Sequence, residues 1–277
     1  MSVARPAPSS RPGEQMVPLI FSLWCLGSLP SSYDVLEEEF SYLYQPAFGM
    51  DYVLRQPVEP YRPQPGDIFL ATGREMWAKL GHWAAFTGAP QHTGIVFAWP
   101  DGRLALLEAG PHNTLRCRAK ELIPQLQSYA CFERVWVRRR QVPLTPEQSA
   151  ELTAFAMSKE GTRFALARMF GQLTPFRSRG PWRACFLGAP HGDRCSYFCA
   201  ELVMEACVAA GLVDPATARP AATYPRDIFF GRSRNLYIDK HLDLSDWSAP
   251  ARWTLCPGSE AKFSRHFPRL DGDNKDR

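Results

Sequence analysis

The chain has 277 residues, 45% of them hydrophobic and 22% charged, with a formal net charge of +4. That is ordinary globular composition, long enough for one substantial core or two small ones. The charge is mild and no long basic block interleaves with aromatics, so nothing points to a nucleic acid; eight cysteines dispersed through such a chain do not make a small disulfide scaffold.

Residues 1–15 are rich in Pro, Ser and Arg and read as disordered. The uncharged run "MVPLIFSLWCLGSL", Met16 to Leu29, is too short to span a bilayer comfortably but suits the apolar core of a signal peptide, with Arg5 and Arg11 ahead of it. Glu14 weakens that basic flank and no small-x-small cleavage site follows. Export or membrane tethering is therefore the expectation, and a buried N-terminal helix the alternative. "SSYDVLEEEFSYLY" predicts a serine-capped amphipathic helix over 31–44, and "RQPVEPYRPQPGD" reads as an extended, proline-rich approach. Four segments result: a leader with its apolar run over 1–30, a helix and proline-rich approach over 31–60, a main domain over 61–245, and a C-terminal extension over 246–277.

In the main domain, "PGDIFLAT" predicts a turn, with Asp67 as its structural cap, and then a strand at Ile68–Ala71. "EMWAKLGHWAAFTG" has helical spacing, with Trp77, Leu80 and Ala84 on one face. In "HTGIVFAWPDGRLALLEAG" two β-rich runs flank Pro100-Asp101-Gly102, the composition of a three-residue hairpin loop. A further strand is expected in "YACFERVWVRRRQV", whose Arg138-Arg139-Arg140 reads as its solvated end. "LTPEQSAELTAFAMSKEG" is a helix with Thr145 as cap, Pro146 at the first helical position and Gly161 past the end. The stretches 72–90, 110–130 and 171–195 carry no interpretable signature. The class is α+β, an antiparallel sheet with helices on one side.

"RCSYFCAELVMEACVAAGL" holds the chemistry. Apolar positions 202, 203, 206, 207 and 210 share a face and Gly211 stops the helix, so Cys199 falls in its first turn. Unpaired N–H groups and the helix dipole there favour a thiolate and can donate to an oxyanion. Glu201, in the same turn, reads as a complement to the dipole, and Cys207 as core. A thiolate needs a base, and the base needs an orienting group. If Pro100–Gly102 is the loop, Trp99 faces Arg103, Gly94 faces Glu108, and His92 is the diagonal neighbour of Glu108 on the same face. A two-residue loop would put them on opposite faces.

"PGDIFL", "QHTGIVFAWPDG", "LLEAG" and "SYFCAELV", in this order, resemble the permuted papain-like cysteine amidases, the YiiX/YebB-like relatives of the NlpC-type cell-wall peptidases. The resemblance covers roughly residues 61–230, and "TYPRDIFF" is similar to that group's closing segment; Ala200 departs from it where a serine is common. It implies a circularly permuted papain-like fold with His92 as base, Glu108 as its orienting carboxylate and Cys199 as nucleophile. The implied activity is a cysteine hydrolase acting through an acyl-enzyme on a peptide, peptidoglycan or lipid-linked amide, with no cofactor or metal. Tyr197 is a candidate phenol donor near the oxyanion.

Three alternatives stand beside this. A thiol acyltransferase or lipid esterase of the same fold is one, although the lecithin-retinol acyltransferase relatives generally place a second histidine where Glu108 stands. A non-catalytic peptide- or lipid-binding module is another. The last is a zinc site from Cys185, His191, Cys195 and Cys199, poorly supported because no C-x2-C knuckle is present. Cys185 and Cys195 are also close enough in sequence to bridge in an oxidising compartment, and His112 and His191 are left without a role.

Overall fold

A computed structural model describes residues 41–44, 58–72, 82, 87–110, 115–131, 134–171, 174, 191–233 and 242–255. Among these, ten strands form one sheet: β1 (Ser41–Tyr44), β2 (Val58–Tyr61), β3 (Ile68–Ala71), β4 (His92–Ala98), β5 (Leu104–Gly110), β6 (Arg116–Glu121), β7 (Val135–Arg138), β8 (Arg163–Phe164), β9 (Ser196–Tyr197) and β10 (Ala251–Thr254). Their order across the sheet is β2-β1-β10-β7-β3-β4-β5-β6-β8-β9. The β8–β9 pair is parallel and the remaining pairs are antiparallel. The helices are α1 (Leu122–Ala130), α2 (Pro146–Lys159), α3 (Leu166–Gly171), α4 (Cys199–Ala209) and α5 (Pro225–Phe230).

Unbroken apolar runs explain the layering. Strand residues alternate faces, so a strand buried on both sides shows no polar alternation. In β3, Ile68 and Leu70 enter one core while Phe69 and Ala71 enter the other. In β4, Ile95 and Phe97 join the first and Val96 the second. Leu152 and Ala156 of α2 and Leu202, Val203, Ala206 and Cys207 of α4 belong to the first core. Leu122, Leu126 and Tyr129 of α1 belong to the second. Helices therefore cover both faces, correcting the one-sided arrangement expected. The class is mixed α+β, as the sequence predicts.

Several local expectations hold. Thr145 Oγ1 accepts from the Gln148 N–H at 3.2 Å, Gln148 Oε1 accepts from the Thr145 N–H at 3.1 Å, and α2 follows at once. Gly161 (φ +81°) and Gly211 (φ +65°) take the left-handed conformation just after α2 and α4.

Others change. Ser41–Tyr44, expected as the end of a helix, is strand β1, zipped between β2 and β10. Its Tyr-Leu-Tyr composition suits a pleated, buried position. The sheet thus runs beyond the 61–245 span at both ends, because β1, most of β2 and β10 lie outside it. Tyr129 and Ala130 end a helix, and the strand after them is confined to Val135–Arg138.

The arginine cluster is not a solvated strand end. Arg138 and Arg140 are buried. Arg138 donates to the carbonyls of Ile228 (2.6 Å) and Ser248 (2.9 Å), while Arg140 lies 4.3 Å over the Trp247 ring and binds Asp246 at 3.0 Å. These contacts hold α5 and the chain leading to β10 against β7.

Among the described residues no helix is long and apolar enough to cross a membrane. The Met16–Leu29 run, most of the helix expected over 75–88, His112, Cys185 and the C-terminal tail lie outside the described residues.

Candidate functional site

The hairpin sets the first half of the site. The Trp99 N–H donates to the Arg103 carbonyl at 2.8 Å, Gly102 takes φ +87°, and Gly94 pairs with Glu108. This is the three-residue loop and the register predicted from it. His92 and Glu108 thus share a face, and His92 Nε2 lies 2.9 Å from Glu108 Oε2.

Among the described residues, each hydrogen-bond or ion-pair partner of the Glu108 carboxylate is a donor. The Tyr129 hydroxyl donates to Oε2 at 2.7 Å, Gln125 Nε2 donates to Oε1 at 2.8 Å, and Lys120 Nζ lies 3.7 Å from Oε1. Burial works against the ionised form, yet hydrogen bonds from His92 and Tyr129 and the charges of His92 and Lys120 hold Glu108 below the usual carboxylate range. An ionised carboxylate only accepts, so Nε2 of His92 carries a proton toward Glu108, and Nδ1 is the ring nitrogen left for its other hydrogen-bond partner, Cys199. Burial also opposes charge on His92. The hydrogen bonds and charges of Cys199 and Glu108 prevail and push its pKa up to about 10.

Packing holds the imidazole. The Tyr129 ring stacks on it with centroids 5.4 Å apart at 29°, and Phe69 meets it edge-on at 6.1 Å. At the end of β5, a Cβ on Gly110 would sit 2.9 Å from His92 Cε1 and 3.2 Å from Nδ1. Only a glycine leaves room for the ring there.

The second half is the start of α4. Phe198 is its extended N-cap residue and Cys199 its first helical residue, where the first-turn amides have no intrahelical acceptor. The thiol lies 3.9 Å from the carbonyl of Gln91, the residue just before β4, and is nearly buried, at 9% exposure. Although α4 packs on the first core, its N-terminus therefore meets the end of the sheet where His92 begins its strand. The structure brings together three of the four residues singled out for acyl chemistry, Cys199, His92 and Glu108.

Glu201 does more than complement the helix dipole. It is wholly buried, and its Oε2 accepts from the Phe198 N–H at 3.1 Å. Arg168 of α3 grips both oxygens, at 2.8 and 2.6 Å, and Arg194 Nε lies 3.0 Å from Oε1. The Arg168 guanidinium also sits 4.9 Å over the Phe198 ring. This two-pronged ion pair ties the chain entering α4 to α3.

Tyr197 donates its hydroxyl proton to Asp193 at 2.7 Å and accepts from the Arg194 N–H at 2.9 Å. The proton it would offer an oxyanion is spent inside the loop before α4. Asp67, expected as a turn cap, accepts from Tyr61 Oη (2.7 Å), the Arg140 N–H (2.7 Å) and the Gln64 N–H (3.2 Å). Burial, opposed by those hydrogen bonds, pushes Asp67 up to about 6. Of the zinc set, Cys195 is a free, exposed cysteine, and no group of three or more His, Cys, Asp or Glu among the described residues can hold a metal ion.

Sequence reasoning missed Lys120, Gln125, Tyr129 and Arg168. The first three lie in the 110–130 stretch, which carries no interpretable signature in the sequence, and Tyr129 also opens the segment expected to hold a strand. The signal overlooked there is the spacing of Leu122, Leu126 and Tyr129, which marks one face of a short helix. Pro124 obscures it, but proline in a first turn breaks no helix.

Fold and site together define a mixed α+β protein with a buried carboxylate–imidazole pair and a thiol at a helix N-terminus. No protein-family model matches the chain, and no curated protein matches its sequence. Among solved structures it is similar to the metalloprotein YiiX from Escherichia coli O157:H7, with a TM-score of 0.38 and 19% identity over 54% of this chain and 67% of that one. That is a weak structural likeness, and nothing about chemistry follows from it.

Proposed function

We propose that this protein is a cysteine hydrolase of the permuted papain-like kind, cleaving an amide bond through Cys199, His92 and Glu108. One observation carries the reading: His92 is held 2.9 Å from an ionised, donor-saturated carboxylate, with its other nitrogen left for a thiol on the first residue of a helix. That is a nucleophile, a base and an orienting group in sequence.

In the proposed reaction His92 Nδ1 takes the thiol proton and Cys199 Sγ attacks the substrate carbonyl carbon. The first-turn amides of α4 receive the oxyanion. His92 then protonates the departing amine as the C–N bond breaks, leaving a thioester on Cys199. Water, deprotonated by His92, cleaves the thioester and restores the thiol. Glu108 keeps its charge throughout and holds the imidazolium. The substrate class is a peptide, a peptidoglycan peptide or a lipid-linked amide.

The test is alkylation by iodoacetamide across a pH series, read by peptide mass spectrometry on wild type and His92→Ala. Selective labelling of Cys199 at pH 6, lost without His92, is the expected result. A screen of amides and acyl lipids then follows, in which transfer of the acyl group to an acceptor other than water would make the protein an acyltransferase. If Cys199 reacts no faster than the exposed Cys131 and Cys195, the reading fails and a binding module takes its place.

A further inference from the structure

We propose that Tyr129 is a positioning residue that keeps the Cys199–His92–Glu108 array in its charged state; this rests on the reading above. Two contacts made by one side chain support it. The Tyr129 hydroxyl donates to Glu108 Oε2, the same oxygen that receives His92 Nε2. Its ring also stacks on the imidazole that this oxygen holds. A residue that only filled the core would need neither contact. Gln125, four residues earlier on the same face of α1, donates to the other carboxylate oxygen. The short helix thus delivers two donors to one buried acceptor and closes the second face of the sheet over it.

The consequence lies in protonation. Withdrawing a donor from Oε2 makes the ionised form of Glu108 less favourable, so Glu108 takes up a proton at higher pH. Once Glu108 is neutral, the imidazolium loses its counter-charge and gives less support to the Cys199 side chain beside it. The acid limb of Cys199 alkylation therefore moves upward when the hydroxyl is removed.

The experiment compares pH profiles of iodoacetamide labelling in wild type, Tyr129→Phe and Tyr61→Phe. Tyr61 is the internal control, because its hydroxyl also donates to a buried carboxylate, Asp67, that takes no part in the array. Tyr129→Phe keeps the ring and its stacking, and its acid limb is expected to rise by about one pH unit, while that of Tyr61→Phe stays in place. A Tyr129→Phe profile that superimposes on wild type, or an equal shift in Tyr61→Phe, overturns the proposal. If Tyr129→Phe does not fold, NMR of wild type labelled at tyrosine Cζ decides. The Tyr129 resonance must follow the acid transition of Cys199 labelling, and its indifference to that transition overturns the proposal. Absence of selective Cys199 labelling in wild type would instead sink the hydrolase reading, and this inference with it.

Discussion

Gly94 stands directly opposite Glu108 in the β4–β5 ladder, and that pairing places His92, two residues back along β4, on the face where the carboxylate waits. Side chains alternate along a strand, so a slip of one residue would send His92 and Glu108 to opposite sides of the sheet. The glycine is itself required, because a Cβ at position 94 would lie 2.8 Å from the Leu107 carbonyl oxygen. The turn at Pro100–Gly102, ten residues from either site residue or fewer, is what holds this register.

The environment of Glu108 asks for an acceptor and nothing else. His92, Tyr129, Gln125 and Lys120 all present donors to it. Glu108→Gln removes the charge and also turns an NH2 group toward one of those donors. The His92 pKa is expected to fall, since the carboxylate is one of the groups that raises it. A hydrogen bond to a charged group contributes about 1.5–3 kcal/mol, so labelling of Cys199 at pH 6 should drop by roughly tenfold or more. Labelling in the variant that keeps the wild-type rate at pH 6 would show that Glu108 does not support the imidazolium.

Gly110→Ala probes the space around the imidazole. The added methyl would sit 2.9 Å from His92 Cε1, well inside contact distance, at the end of a strand with no left-handed backbone to strain. The ring must move away from Glu108, from Cys199 or from both. The expected outcome is a loss of Cys199 reactivity of about tenfold, since small misplacements of a catalytic group are costly. The thermal midpoint should fall by only a few degrees, roughly what about 1 kcal/mol produces in a chain of this size. Equal losses of folding and reactivity would mean that Gly110 matters to the fold alone.

The hairpin, its register and the helix headed by Cys199 were legible in the sequence because each depends on neighbours in the chain. Pro100-Asp101-Gly102 specifies a loop, the loop specifies the pairs, and Gly211 marks the end of α4. What could not be read depends on partners distant in sequence. Ser41–Tyr44 is a strand because β2 lies on one side of it and β10, some two hundred residues later, on the other. Arg138 and Arg140 look like surface charge until the carbonyls of Ile228 and Ser248 and the Trp247 ring enclose them. Tyr129 has the character of a core aromatic, and only the fold brings its hydroxyl to Glu108.

Glu205 gives a pH-dependent stability that is separable from the site chemistry. It is buried two turns behind the first residues of α4, and its Oε1 accepts from the Gly192 N–H at 2.9 Å, fastening the loop that leads to Cys199. Burial, opposed by that hydrogen bond and reinforced by the charge of Glu201, pushes its pKa from 4.5 up to about 7. A carboxyl group whose pKa is raised by folding stabilises the folded state while it is protonated. Its contribution is complete below pH 4.5, declines as the pH rises toward 7, and is gone above that. Glu205→Gln keeps the acceptor for Gly192 and never ionises, so it escapes the decline. The thermal midpoint of the variant should therefore exceed that of wild type by about 2–4 °C per kcal/mol of relieved penalty at pH 8, and by clearly less at pH 5. The measurement is a pair of melting curves at each pH. A difference between the two proteins that is the same at pH 5 and pH 8 would show that Glu205 does not titrate in this range. In that case its carboxylate is accommodated by Arg194, the nearby cation that favours its charged form.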